Sequence, residues 1–174
     1  MIILLTGLPG TGKSHLARAL AETLGADVID RDQVRDAIFP RHDLDYSEEQ
    51  NELASQVVYS VAAYILKRNT QRILILDGRP FSRRVQVDEV VRLAGAVQHE
   101  LRVIHCTAPE SVVRQRLEED MRMGGNVAAN RTVEKYLRIK QSFEPLIVPH
   151  LTVDTSEPLG AVVQEVGEYV RKAV

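Results

Sequence analysis

The sequence predicts an α/β domain, a parallel sheet covered by helices on both faces. Three observations carry that expectation. Short apolar runs alternate with segments of helical spacing along the chain. The first strand–helix junction holds Gly7-Leu8-Pro9-Gly10-Thr11-Gly12-Lys13-Ser14, a G-x-x-x-x-G-K-S phosphate-binding loop. Charged residues also end several of the apolar runs, which brings them to one sheet edge, where ligands bind in such sheets.

Met1 to Thr6 reads as a buried strand, followed after the loop by a helix with Leu16, Ala19, Leu20, Thr23 and Leu24 at helical spacing. Gly25 ends it. Ala26 to Ile29 reads as the second strand. Asp32 is expected to cap a short helix running to Phe39, which Pro40 stops. Arg41 to Tyr46 is a polar loop. Ser47 and Gln50 have capping-box spacing and open a long helix to about Asn69, with Leu53, Val57 and Tyr64 on its expected apolar face.

Arg72 to Asp77 is the third strand, apolar enough to be buried on both faces. After a turn at 78–81, Ser82 or Arg83 starts a helix through Val87, Val90, Val91 and Leu93, closed by Gly95. Leu101 to Cys106 is the fourth strand. Pro109 sits in the first turn of a helix carrying Val112, Val113, Leu117 and Met121, where a missing N–H costs nothing. Gly124-Gly125-Asn126 breaks the pattern. Thr132 to Phe143 is helical, Leu151 to Val153 the fifth strand, and Leu159 to Val170 the last helix.

Composition narrows the function. The 174 residues fit one domain, and a net charge of −2 supplies no global field for nucleic acid or membrane. One cysteine, Cys106, excludes a disulfide framework and fits a reducing cytoplasm. No apolar run approaches a membrane span, and the amino terminus reads as a strand rather than a signal peptide.

The loop is an anion cradle. Its glycines let successive N–H groups face one concavity, and the following helix adds the positive end of its dipole. Gly7, Leu8, Pro9, Gly10, Thr11, Gly12 and His15 are expected to contact the nucleotide. Lys13 would reach the β- and γ-phosphates, and the Ser14 hydroxyl would ligate Mg²⁺. Asp77, at a strand end facing the phosphates, is the second expected Mg²⁺ residue; a turn cap is the plainer reading. Gly78 follows it, so an adjacent water-activating carboxylate is absent, and no Asn-Lys-x-Asp segment reads guanine.

Asp30 and Asp32 alternate at a strand end, and either could accept the proton of an attacking hydroxyl; Asp32 is the expected base. Arg35, Arg79 and Arg83 are expected to hold an anionic group of the acceptor, although acids and arginines at helix starts also occur without such a task. Arg116 and Arg122, in a segment at about 114–131 that also holds Arg114 and Arg131, would close over the phosphates and stabilise the transition state.

Together these elements resemble the small P-loop kinases. The resemblance is carried by the loop, Asp30-x-Asp32-x-x-Arg35, Leu76-Asp77, Cys106-Thr107-Ala108-Pro109-Glu110 with Arg116-Leu117, and Val153-Asp154-Thr155. That group includes adenylylsulfate kinase, gluconate kinase, chloramphenicol phosphotransferase and the 5′-kinase domain of polynucleotide kinases. The resemblance implies a P-loop α/β/α fold, a five-stranded sheet ordered 2-3-1-4-5 and a helical lid. It implies γ-phosphoryl transfer from ATP to a hydroxyl, Asp32 as base, Arg35 on the acceptor, Arg116 and Arg122 as lid arginines, and Asp154 and Thr155 near the adenine.

Arg31-Asp32-x-x-Arg35 matches the polynucleotide 5′-kinase pattern. Arg31 departs from the Asp-Gly-Asp of adenylylsulfate kinases, and Arg79-Pro80 from the glycine run of shikimate kinases. The expected function is an ATP- and Mg²⁺-dependent kinase, with a polynucleotide or nucleotide 5′-hydroxyl as the favoured acceptor. Nucleic acid enters only as substrate. The alternatives are a small-molecule kinase acting on an antibiotic, sugar acid or adenylylsulfate, and a non-catalytic ATP sensor or switch.

Overall fold

The computed structural model describes residues 1–123 and 132–172. In chain order the elements are β1 (Ile2–Thr6), α1 (Lys13–Leu24), β2 (Asp27–Asp30), α2 (Arg31–Ile38), α3 (Glu48–Arg68), β3 (Leu74–Asp77) and α4 (Arg84–Val97). They continue with β4 (Leu101–Thr107), α5 (Glu110–Arg122), α6 (Val133–Gln141), β5 (His150–Asp154) and α7 (Leu159–Arg171). The strands form one sheet in the order β2-β3-β1-β4-β5, every pair parallel.

The central strand shows why. All five residues of β1 are buried, and alternate side chains face opposite layers. Ile2 and Leu4 join Leu74, Leu76 and Val103 under α3 and α4. Ile3 and Leu5 join Ile75, Ile104 and Cys106 under α1 and α7. Cys106 is a core residue whose thiol burial pushes up to about 12. Among the described residues no helix is long and apolar enough to cross a membrane.

Helix α3 differs from expectation. Leu53, Val57 and Tyr64 are exposed, Tyr64 at 62%, and the buried face is Ala54, Val58, Ala62 and Leu66. Both faces carry apolar residues at helical spacing, so periodicity alone could not choose between them. The buried face has two alanines, which let the helix lie close on the sheet. Gln50 and Ser55 are buried with it because their polar atoms find partners, Asp43 O and Arg79 among them.

Two caps also differ. Asp30, rather than Asp32, caps α2, accepting from the N–H groups of Asp32 (2.8 Å) and Gln33 (3.4 Å). Half of the expected capping box forms: Ser47 Oγ accepts from Gln50 N, but Gln50 Oε1 accepts from Asp45 N and Tyr46 N. Helix α4 runs past Gly95 to Val97, with Gln98 in the left-handed region closing it, and Val91 is exposed. Thr132 caps α6, which stops at Gln141. The expected break at Gly124-Gly125-Asn126, and Arg131, lie outside the described residues.

Candidate active site

The carboxyl edge of the sheet borders a cleft of about 550 Å³. Its nucleotide half is the loop between β1 and α1. Gly7 has φ 139°, and a Cβ there would lie 2.3 Å from Cys106 O, so only glycine fits. Thr6 Oγ1 and Gly7 N both donate to Pro80 O, tying the loop to the turn after β3. Thr11 Oγ1 donates to Leu8 O, and Lys13 Nζ donates to the Gly7 and Leu8 carbonyls at 2.8 Å each. Pro9, Gly10, Gly12, Ser14 and His15 line the cleft beside it.

Asp77 ends β3 in the floor. It is 2% exposed, and its Oδ1 is buried without a hydrogen-bond partner among the described residues. An orphaned carboxylate oxygen on Asp77 and the Ser14 hydroxyl, on residues that line one cleft, form a donor set that fits Mg²⁺. No cluster of three His, Cys, Asp or Glu ligands occurs among the described residues. Mg²⁺ ordinarily takes one or two protein oxygens and completes its shell with phosphate and water.

The two aspartates of α2 separate. Asp30 caps the helix behind the turn and does not line the cleft. Burial, then the Asp77 and Asp32 carboxylates, push its pKa up. Gly78 (φ 86°) makes this cap possible, since a Cβ there would sit 2.4 Å from Asp30 Oδ1. Asp32 opens into the cleft. Its Oδ1 accepts from Arg35 Nη1 at 2.9 Å and pairs with Arg31 Nη2 at 3.0 Å. Arg31 is itself anchored, Nε and Nη2 donating to Gly78 O.

The expected acceptor arginines are distributed differently. Arg35 lines the cleft but is 1% exposed; it donates to Asp32, Asn51 and Asp36 and lies 4.5 Å over the Tyr46 ring. Arg79 borders the cleft, but its guanidinium donates to Glu52, Ser55 and Tyr59 of α3. Arg83 is exposed at the start of α4, paired with Glu48, and lies outside the cleft.

The expected lid arginines divide as well. Arg116 lines the cleft and donates to Thr155 Oγ1 (3.1 Å) and Thr155 O (2.8 Å), beside Gly12. Arg122 is exposed, donates to Glu118 O and does not line the cleft. Thr155 lines it, with its hydroxyl 2.8 Å from Thr11 O. Asp154 does not: its Oδ1 accepts from Ser156 N and Oγ, which holds its pKa down.

Five charged lining residues were not foreseen: Arg18, Arg31, Asp120, Lys135 and Glu157. Arg31 entered the sequence reading only as part of the Arg31-Asp32-x-x-Arg35 pattern and as a departure from Asp-Gly-Asp, with no role of its own in the site. Lys135 sits on α6, whose helical spacing gives no sign of which face meets the cleft. Burial pushes its pKa down to about 8, opposed by the Asp32 carboxylate and assisted by Arg31, Arg35 and Arg138.

Solved structures with similar architecture surround this geometry. A Chloroflexus aurantiacus protein proposed to be a kinase is 23% identical, with TM-score 0.75, covering 98% of this chain and 95% of that one. The Mycobacterium tuberculosis APS kinase CysC, in complex with AMPPNP and APS, is 17% identical, with TM-score 0.74, covering 98% and 97%. A gluconokinase from Sinorhizobium meliloti is 17% identical, with TM-score 0.65 and the same coverage. Among curated proteins, none matches the chain at a significant level. A family model described as an AAA domain matches residues 2–146. The chain therefore belongs to that AAA domain family, and its fold is that of the small P-loop kinases.

Proposed function

We propose that the chain is an ATP- and Mg²⁺-dependent kinase that transfers the γ-phosphoryl group to an acceptor hydroxyl, with a nucleotide or polynucleotide 5′-hydroxyl as the favoured acceptor. The observation that carries the reading is that Lys13, Asp77 and Asp32 line one cleft. A nucleotide-binding sensor needs the first two; a carboxylate opening beyond the phosphates is what a transferase adds.

The residues divide the work as follows. Lys13 turns from the loop carbonyls to the phosphates and offsets the charge that spreads over the γ-oxygens. Ser14 and Asp77 would hold Mg²⁺, which would supply charge neutralisation at the phosphates. Asp32 accepts the hydroxyl proton and orients the oxygen for in-line attack, with Arg31 and Arg35 fixing its carboxylate. Arg116 stands beside Gly12 and Thr155 on the nucleotide side, where it can meet developing charge. The nucleotide preference draws on the Arg31-Asp32-x-x-Arg35 pattern and on the cations around Asp32. An ATP-consumption screen over candidate acceptors, including short 5′-hydroxyl oligonucleotides, tests it. Stimulation by the 5′-hydroxyl compounds is expected. Stimulation only by a neutral sugar acid or antibiotic would replace the acceptor, and ATP binding without transfer to any acceptor would favour the switch.

A further inference from the structure

Helix α3 carries a row of apolar side chains open to solvent. Leu53, Val57, Val61 and Tyr64 follow one another at helical spacing along one face, each between 37% and 62% exposed. None of them lines the cleft. Single exposed apolar residues are ordinary on a protein surface; four in one continuous row mark a place where something docks.

The row is a fixed surface. Ala54, Val58, Ala62 and Leu66 hold the other face of α3 in the core, and Glu52, Ser55 and Tyr59 accept from Arg79, so the rotation of the helix about its axis is set. Ser60 lies beside the row, and its hydroxyl donates to Gln56 O within the helix at 2.8 Å. It therefore enters an apolar contact with its hydrogen bond already made. The two ends carry opposite charges. Glu49 stands in the first turn, four residues before Leu53, and Lys67 and Arg68 stand in the last, with Arg68 5.2 Å over the Tyr64 ring. Each charge suits the dipole of its own helix. The same layout is also self-complementary towards an antiparallel copy.

We infer that α3 docks against α3 of a second copy of this chain, antiparallel, about a two-fold axis. In such a contact each residue pair occurs twice. Setting Leu53 against Tyr64 of the second copy puts Gln56 against Val61 and Val57 against Ser60, and brings Glu49 against Arg68 at both ends. The valines of both copies then gather at the axis. A parallel arrangement would instead place Glu49 on Glu49 and Arg68 on Arg68, which like charge disfavours. One pair of helices buries less than the ~1,600 Å² of a standard interface, so the dimer is expected to be weak, with a Kd on the order of 10 µM.

The test is sedimentation equilibrium of the full chain at low salt, on the wild type, on Val57→Asp with Val61→Asp, and on Glu49→Lys and Arg68→Glu separately and mixed. Circular dichroism checks that each variant is folded, as expected for changes at exposed positions. The double aspartate variant should raise the dimer Kd on the order of 100-fold or more, because it buries unpaired charge at the axis. Each charge reversal alone should weaken the dimer roughly tenfold, since both end pairs become repulsive. An equimolar mixture of the two reversals should recover wild-type association, because in the mixed dimer each lysine at 49 meets a glutamate at 68 and the other end keeps its natural pair. A mere loss of favourable helix-dipole charges would leave the mixture as weak as its components. A wild type that stays monomeric to about 500 µM overturns the inference and leaves the row to a different protein. A dimer indifferent to the two aspartates, or one whose mixed reversals fail to recover, overturns it as well.

Discussion

The two halves of the cleft are made from different materials. The nucleotide half is mostly backbone: carbonyls and N–H groups of a glycine loop, held by Pro80 O and Thr155. The acceptor half is mostly side chains: Asp32, Arg31, Arg35, Arg79 and Lys135, brought from α2, the turn after β3 and α6. A backbone site depends on a contiguous motif and tolerates little change. A side-chain site can be re-specified without disturbing the phosphates, so relatives of one fold can differ in what they phosphorylate.

Substitutions on the two sides should separate binding from chemistry. The largest effect is expected from Asp32→Asn, which keeps shape and loses the proton acceptor. It should lower kcat on the order of 10²–10⁴-fold while calorimetry shows ATP affinity nearly unchanged. Lys13→Ala should cost about 10²–10³-fold in kcat and weaken ATP binding as well, because the charge lost there acts on the phosphates themselves. Equal behaviour of the two variants would erase the distinction between the halves.

Gly78→Ala sharpens the comparison through stability. The added Cβ would strike Asp30 Oδ1 in a backbone region with φ 86°, so strain and a damaged α2 cap should together cost about 2–4 kcal/mol in urea unfolding. A neutral result would mean that the turn and cap relax independently. Arg35→Met should lower kcat roughly tenfold through misplacement of Asp32, with a smaller change in acceptor KM. At the small end, Arg83→Ala and Arg122→Ala should stay within about twofold of wild type in both constants, as expected for exposed residues outside the cleft.

The same contrast explains what was legible in the sequence. The strand–loop–helix motif, the order of elements and the cleft edge were readable because each follows from local pattern or from parallel-sheet geometry. The face of α3 was not, since Leu53-Val57 and Ala54-Val58 have the same spacing and only packing against the sheet chooses between them. The assignment of Asp30 to a cap and Asp32 to the cleft turned on the register at the end of β2, with Gly78, far away in sequence, as the counterpart of the cap. Arg79 and Arg83 looked alike as members of one basic turn, yet the first meets Glu52 and Ser55 and the second meets Glu48. The place of Lys135 on the cleft lining left no local trace, because it depends on how α6 packs on α5 through Tyr136.

The most direct measurement follows the phosphoryl group itself. ATP labelled at the γ-phosphate is incubated with the protein, Mg²⁺ and a nucleoside 3′-phosphate, and the products are separated. The account predicts label on the acceptor's 5′-hydroxyl, little label as inorganic phosphate, and both nearly abolished in Asp32→Asn. Label released only as inorganic phosphate, at a rate indifferent to Asp32 and to the acceptor, would contradict it.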